Sequence, residues 1–156
     1  MRIEEEIKQV KFKSEQHKLM INLLFTSSWL HRAQLCALRV GDITPQQYNI
    51  LRILRGNKKN TTCIGDINAR MIDKSSNTSR LIDKLLKKEL IDREVNDADR
   101  RQMHIRITQA GLNLLDQLEN PMEEAAEPFL KLSVKDAKWM NAFLDELRNN
   151  QKQNKK

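Results

Sequence analysis

The hydrophobic pattern of the chain changes its period once, between residues 91 and 107. Ile91–Val95 and Met103–Ile107 alternate polar and apolar side chains, which is typical of short strands. The polar residues 96–101 between them indicate a turn, so the two strands should form a hairpin. Most other apolar residues recur at helical spacings of three and four. The sequence therefore predicts a mainly α protein with one small β-hairpin, an α+β fold.

Composition and length agree with a single helical domain, residues 1–156. The chain has 4 Gly and 3 Pro, and aromatic residues make up 4% of it, which disfavours an all-β sandwich with its many turns. Hydrophobic residues make up 39%, which is enough for a core and argues against a disordered chain. The 28 Lys and Arg exceed the 21 Asp and Glu, giving a formal net charge of +7. This excess favours an anionic partner, nucleic acid before a membrane.

Several classes of protein are disfavoured by what the sequence lacks. The first twelve residues carry charges where a signal peptide has its apolar core, and no apolar run approaches the roughly 20 residues that span a bilayer. Cys36 and Cys63 have neither a disulfide nor a metal-ligand spacing, and the three histidines are scattered. A phosphate loop, a nucleophile elbow and paired catalytic residues are all missing. We therefore expect a cytoplasmic protein without metal, cofactor or catalytic residues, and not an enzyme.

Residues 3–40 contain neither Gly nor Pro and predict one long helix, with Gly41 at its C-terminal cap. A helix of that length would span roughly 57 Å. This exceeds the width of a compact domain of this size. Part of the helix should therefore pack against a second subunit.

The clearest helix start lies at Thr44. Thr44 and Gln47 have the spacing of a capping box, and Pro45 suits the first helical turn. The following helix should end at Gly56. At the other end of the chain, Thr108 is placed to cap a further helix.

Two shorter helices should precede the hairpin. Thr61 or Thr62 is placed to cap the first, and Asp73 or Ser75 the second, which should cover about residues 74–88. Two short helices followed by a hairpin are the order of a winged helix-turn-helix, which places its second helix in the DNA major groove. On a helical wheel the apolar side of this second helix consists of Thr78, Leu81, Ile82, Leu85 and Leu86.

The opposite side of the second helix suits DNA. Ser76, Asn77 and Arg80 lie near its N-terminus, and Arg can bind guanine and Asn adenine through paired hydrogen bonds. Lys84 and Lys87 lie further along, where phosphates are the expected partners. An ordinary solvated face would explain this helix alone equally well. The turn of the hairpin favours DNA, because Asp99 could hold Arg101 extended toward a minor groove.

The stretches 43–54 and 64–115 resemble the MarR family of bacterial winged-helix regulators, and the resemblance covers nearly the whole chain, including its first helix and its two closing helices. The most specific motif is Asp99-Arg100-Arg101, followed by Ile107-Thr108 and Gly111, and Leu90–Arg93 also fits. Glu89 departs from the family, which usually has Gly where the recognition helix ends. We therefore expect another helix-ending conformation there, or a frayed helix.

The resemblance implies a homodimer in which residues 3–40 and 108–148 intertwine, with a winged helix-turn-helix lobe at residues 44–107. It implies a transcription regulator that binds a pseudo-palindromic operator in double-stranded DNA, most simply as a repressor. It also implies a pocket between the two regions for a small aromatic or lipophilic effector that releases the DNA. Trp29, His31 and Tyr48 are the candidate ligand-binding residues, with core packing as the alternative for each. The expected DNA-binding residues are Ser75, Ser76, Asn77, Ser79, Arg80, Lys84, Lys87, Asp99, Arg100 and Arg101.

Two other functions stay open at this stage. The chain could be a DNA binder that is constitutive, or one that responds to oxidants through Cys63 at a helix start, where a thiol pKa can fall. It could also be a protein-interaction module, since a fold does not fix a function. The cationic helix face together with Arg101 favours DNA over a protein partner.

Overall fold

The computed structural model describes residues 1–57, 62–95 and 103–153. In this part of the chain, helices surround a small antiparallel sheet, as the sequence predicts. The helices are α1 Ile3–Glu6, α2 Glu15–Ala37, α3 Pro45–Arg55, α4 Ile64–Arg70, α5 Thr78–Lys87, α6 Gln109–Gln117, α7 Glu119–Leu130 and α8 Val134–Gln153, with a 3₁₀ turn at Leu38–Gly41. The strands are β1 Thr62–Cys63, β2 Ile91–Val95 and β3 Met103–Ile107.

The sheet has the order β1-β3-β2, so it contains the predicted hairpin and one further strand. Asp92 pairs with Arg106 and Glu94 with His104 across β2 and β3. The Arg106 guanidinium lies 2.7 Å from Glu94 Oε1 and 3.8 Å from Asp92 Oδ2. Strand β1 was not predicted. Thr62 belongs to it, and Cys63 rather than a threonine caps α4 by accepting the Asp66 N–H at 3.4 Å.

The core lies mainly between α3, α4, α5 and the sheet, and α6 closes one side of it. Its side chains are aliphatic or Met, and most come from helical positions three or four apart, the spacing of an amphipathic helix. The described buried apolar residues of this cluster are Leu38, Ile43, Ile50, Leu51, Ile53, Leu54, Ile67, Met71, Ile82, Leu85, Leu90, Ile91, Ile105, Leu115 and Leu118.

The predicted single helix over residues 3–40 is wrong. The chain leaves α1 through Lys8, whose φ is 53°, and α2 begins only at Glu15. Ser14 caps α2, since its hydroxyl accepts the His17 N–H at 3.1 Å. The 23 residues of α2 span about 35 Å rather than 57 Å. A serine N-cap and one left-handed residue therefore divide a stretch that has no Gly or Pro.

The end of this region is also different from the prediction. The left-handed residue after the 3₁₀ turn is Asp42, with φ 49°, and not Gly41. Gly41 lies close to α6, because a Cβ there would be 2.8 Å from Leu114 Cδ1. Asp42 is held to the end of α5, where Lys88 Nζ lies 2.6 Å from Asp42 Oδ2 and also donates to the Asp42 carbonyl.

Helix α5 ends with a residue in the left-handed conformation, although that residue is Glu89 and not the Gly that usually adopts it. Glu89 has φ 58°, its N–H donates to the Leu86 carbonyl at 2.9 Å, and the Leu90 N–H donates to the Leu85 carbonyl at 3.1 Å. These two bonds make a Schellman motif, which usually has Gly at the left-handed position. The expectation of a different ending or a frayed helix is therefore wrong. Glu89 adopts the glycine conformation at a steric cost.

The start of α6 is fitted against this turn. Thr108 caps α6 by accepting the Gly111 N–H at 3.1 Å, and its hydroxyl donates to the Glu89 carbonyl at 2.8 Å. The Thr108 N–H donates to the Leu90 carbonyl at 3.1 Å. A Cβ on Gly111 would lie 2.3 Å from that same carbonyl oxygen. Thr108 and Gly111 thus join the end of α5 to the start of α6.

Candidate nucleic-acid interface and adjoining cleft

Helices α4 and α5 form a helix-turn-helix on the core. The Thr78 hydroxyl donates to Asn68 Oδ1 at 2.8 Å, which joins the start of α5 to α4. Ile82 and Leu85 are fully buried, so α5 turns its apolar side to the core as the wheel predicts. The polar side is left to solvent.

The start of α5 differs from the prediction. Asn77 caps the helix, since its Oδ1 accepts the Arg80 N–H at 3.1 Å, whereas Asp73 and Ser75 lie in the preceding turn. Ser75 and Ser76 therefore precede the helix rather than belong to it. The Asn77 side-chain oxygen is engaged in the cap, which leaves its NH₂ group to donate.

Asp73 organises the turn. Its Oδ1 accepts the Ser75 N–H at 3.0 Å and the Ser75 hydroxyl at 2.6 Å, and its Oδ2 accepts the Ser76 hydroxyl at 2.9 Å. These bonds, led by that from the Ser75 side chain, together with one from Gln46, lower the pKa of the Asp73 carboxyl. Asp73 therefore stays ionised at neutral pH and fixes both serines just before the recognition helix.

The predicted DNA-contacting residues of α5 share one exposed surface. A shallow groove of about 270 Å³ runs along it, lined by Gln46, Ser76, Asn77, Arg80, Leu81 and Lys84. Ser79 and Lys87 are also exposed. The carboxylate on this surface, Asp83, is paired with Arg93 of β2 at 2.5 Å. The three basic residues of the surface are Arg80, Lys84 and Lys87.

The predicted wing tip, Asp99, Arg100 and Arg101, lies outside the described residues. Strands β2 and β3, which flank it, are described, and they are antiparallel neighbours in the sheet.

A second and larger cavity lies between α2 and α3. This cleft, of about 690 Å³, extends to residues 71–73, which lead into the turn before α5. Its walls combine aliphatic side chains with polar ones from both helices. The lining residues that matter below are Leu30, His31, Leu38, Gln46, Tyr48, Asn49, Arg52, Met71, Ile72 and Asp73.

Two of the three predicted ligand-binding residues line this cleft. His31 comes from α2 and Tyr48 from α3, and the Arg52 guanidinium donates to the Tyr48 hydroxyl at 3.0 Å. Trp29 does not line the cleft. It lies against Phe129 of α7, with 6.1 Å between the ring centroids.

The sequence analysis missed three cleft residues on α3: Gln46, Asn49 and Arg52. Their spacing of three places them on one side of the helix, and this signal was available. Asn49 Oδ1 accepts the Ile72 N–H at 2.9 Å, so α3 is bonded directly to the segment that leads into the turn before α5. Gln46 lines both the cleft and the groove along α5. Gln46 therefore lies between the two cavities.

Other sites find less support among the described residues. None of their His, Cys, Asp and Glu side chains gather in a group of three or more suited to a metal ion. None of the described helices is both long and apolar enough to cross a bilayer. Cys36 is exposed, and the thiol of Cys63, which is half-buried, serves as a helix cap.

Comparison with known proteins agrees with this architecture. Residues 43–103 match the sequence model of the MarR family. The chain is 28% identical to a MarR transcription factor from Planctomyces limnophilus, over 88% of this chain and 99% of that one, with a TM-score of 0.66. No curated protein sequence matches it.

Two more distant structures share the fold. MepR from S. aureus, solved as a DNA complex, is 23% identical and covers 90% of this chain and 99% of its own, with a TM-score of 0.74. The organohalide-sensing regulator RdhR, solved with 2,4-dichlorophenol, is 14% identical, covers 91% and 86%, and has a TM-score of 0.76. The segment 43–103, with its three helices and the strands of its hairpin, therefore matches the MarR family, and the chain shares its fold with winged-helix transcription regulators of that family.

Proposed function

We propose that this regulator acts as a homodimer that binds a pseudo-palindromic operator and represses transcription until a small aromatic or lipophilic ligand releases it. The exposed cationic surface of α5 is the observation that carries the proposal. It presents Arg80 near the N-terminal end and Lys84 and Lys87 further along, on a helix held by a buried apolar side. An α-helix with this arrangement fits a major groove.

The dimer is supported by helices that leave their apolar side chains in solvent. None of the described side chains of α2, α7 or α8 is buried. Leu24, Leu130 and Trp139 are 65%, 70% and 66% exposed. Many exposed apolar side chains on neighbouring helices are typical of a protein interface. For a dimer that binds DNA with two such helices, we expect half-sites about one DNA turn apart, roughly 10 bp.

DNA binding and ligand response are each supported by a structural neighbour. MepR was solved with DNA, and RdhR with 2,4-dichlorophenol. The cleft between α2 and α3 is large enough for such a ligand and adjoins the segment that leads into α5. The proposal carries with it a cytoplasmic location and a regulatory rather than catalytic activity.

A binding experiment with two α5 variants tests the DNA surface. Arg80→Ala should weaken binding to a selected operator by roughly 1–3 kcal/mol and relax the preference at one position of each half-site. Lys87→Ala should weaken operator and scrambled duplexes alike and lower the salt dependence, because it removes a phosphate contact. Affinities are measured on both duplexes at two salt concentrations. Lys131→Ala, just after α7, removes one exposed cation away from α5, so it is the matched control and should bind as the parent does.

The wing is tested in the same assay. Arg101→Ala should reduce any preference for narrow A·T-rich flanks, and Asp99→Ala should do so partly, because Asp99 would only orient the arginine. If all of these variants bind like the parent while remaining folded, the DNA surface lies elsewhere, and a protein-interaction role gains support.

Effector release is tested with a panel of aromatic and lipophilic compounds that includes 2,4-dichlorophenol. At least one compound should lower operator affinity. If only oxidants act, and Cys63→Ser abolishes their effect, the regulator is redox-responsive. If neither compounds nor oxidants act, the protein is a constitutive DNA binder.

A further inference from the structure

The Asp73 carboxylate faces both functional regions of the lobe. It lines the cleft between α2 and α3, and it also accepts three hydrogen bonds from Ser75 and Ser76 just before α5. Among the described residues that line the cleft, it is the one carboxylate. Any ligand that fills the cleft to this end meets an acceptor that already holds the DNA-facing turn.

We infer that Asp73 couples the cleft to the recognition helix, so that ligands with a cationic or N–H donor group at this end release DNA. This inference rests on the proposed function and names the chemistry of the effector. An ionised carboxylate only accepts hydrogen bonds, and its strongest partners are charged donors such as an amidinium. A donor from the ligand therefore competes with the two serines for the same oxygens.

The rest of the cleft favours a ligand whose donor group points toward Asp73. Leu30, Leu38 and Met71 offer an apolar wall for an aromatic body. Arg52 lies on α3, three residues beyond Asn49, and its guanidinium is engaged with Tyr48. An anionic group would be attracted to Arg52 and repelled by Asp73. An anionic ligand would thus occupy the cleft without drawing Asp73 away from the serines.

DNA affinity should depend on Asp73 because few side-chain bonds hold the turn before α5. Asn49 fixes Ile72 from one side, and Asp73 fixes Ser75 and Ser76 from the other. Loss of the Asp73 bonds leaves the residues before α5 without their side-chain acceptor. A ligand shifts DNA affinity only if it binds the two arrangements of this turn differently, and a donor ligand meets that condition.

Two probes of the same shape and opposite charge test the inference, benzamidine and benzoate. In the parent, millimolar benzamidine should lower operator affinity by about tenfold, the usual size of such coupling. Benzoate at the same concentration, which matches the ionic strength, should change it little. Asp73→Asn keeps an oxygen that can hold the turn but loses the charge that attracts the amidinium. Whatever operator affinity this variant has by itself, benzamidine should no longer lower that affinity.

Asp73→Ala should imitate the ligand, with operator affinity about tenfold lower at the outset and insensitive to benzamidine. Asp116→Asn on α6 makes the same change of charge outside the cleft and should respond as the parent does. Melting temperatures of all variants show whether they are folded. Amide NMR signals of Ser75 and Ser76 should shift when benzamidine is added to the parent without DNA, and should stay in place in Asp73→Asn.

The NMR arm separates this inference from the proposed function. A parent protein that binds operator and scrambled DNA alike contradicts the proposed function, whatever the NMR signals do. The inference is overturned if benzamidine acts equally on the parent and on Asp73→Asn, if benzoate acts as strongly as benzamidine, or if benzamidine changes neither the two amide signals nor the operator affinity of the parent.

Discussion

The lobe of residues 44–107 and the long helices outside it differ in what they bury. The lobe encloses most of the apolar cluster, and residues such as Ile50, Leu51, Ile82 and Ile105 are fully buried within one chain. The described side chains of α2, α7 and α8 include none that is buried, although α2 packs against α7. Burial of apolar surface is the main favourable term in folding. The lobe can therefore obtain its stability within one chain, whereas the long helices need a second one.

The largest expected effect is a loss of stability in Gly111→Ala, which tests the contact between the lobe and α6. In Gly111→Ala the new Cβ would meet the Leu90 carbonyl oxygen at 2.3 Å and Ile107 Cγ1 at 2.8 Å. We expect a loss of about 3 kcal/mol or more in the free energy of unfolding, because backbone and core must both shift. Urea denaturation measures it. Gly65→Ala is the control, since a Cβ there meets only Cys63 Sγ at 3.8 Å, and it should be neutral or stabilising.

The comparison itself is tested by placing charges on the exposed apolar helices. Leu24→Glu and Trp139→Glu should each weaken the dimer by about a hundredfold or more, because a buried unpaired charge costs several kcal/mol. Sedimentation velocity at micromolar concentration measures the change. Ile72→Glu on the lobe, where the residue is 87% exposed, should leave the oligomeric state as it is. If the parent sediments as a compact monomer, the long helices do not need a second chain, and the comparison is wrong.

The smallest expected effect is a change in the free energy of unfolding at two residues that have the same left-handed backbone conformation. Glu89 in the lobe and Lys8 in the N-terminal segment have φ values of 58° and 53°. Glu89→Gly should raise the free energy of unfolding by about 1 kcal/mol, since Gly adopts this conformation without a Cβ clash. Lys8→Gly should leave it unchanged in a urea titration, because the four-residue α1 contributes little to the lobe. Equal gains would show that the N-terminal segment unfolds together with the lobe.

The features that could be predicted from sequence are those set by neighbouring residues. Thr44 and Gln47 do form both bonds of a capping box, at 3.2 and 2.9 Å, and the two alternating segments do pair as antiparallel strands. The buried side of α5 follows from helical spacing alone. Each of these depends on contacts within a few residues or between adjacent strands.

The features that could not be predicted depend on packing between distant segments or on tolerated strain. Helix α7 includes Pro121 in its first turn and continues past Pro128 to Leu130, although a proline in a helix interior usually ends or kinks the helix. His31 and Tyr48 line one cleft only because α2 and α3 meet, whereas Trp29 contacts Phe129 because α2 also packs against α7. Asp73 was assigned as a helix cap because its spacing fits one, whereas its bonds to Ser75 and Ser76 form a separate turn.

The bond between Lys88 and Asp42 would make the C-terminal end of α5 the pivot of any rotation of this helix. It joins that end to the connection between α2 and α3, so the two should move together when the lobe turns relative to the long helices. The 10 residues of α5 form an arm of about 15 Å. A rotation of about 10° would displace its far end by roughly 2.6 Å, close to the length of a hydrogen bond. Lys87, next to Lys88, would scarcely move, so a small rotation would disturb the proposed base contact of Arg80 and preserve the proposed phosphate contact of Lys87.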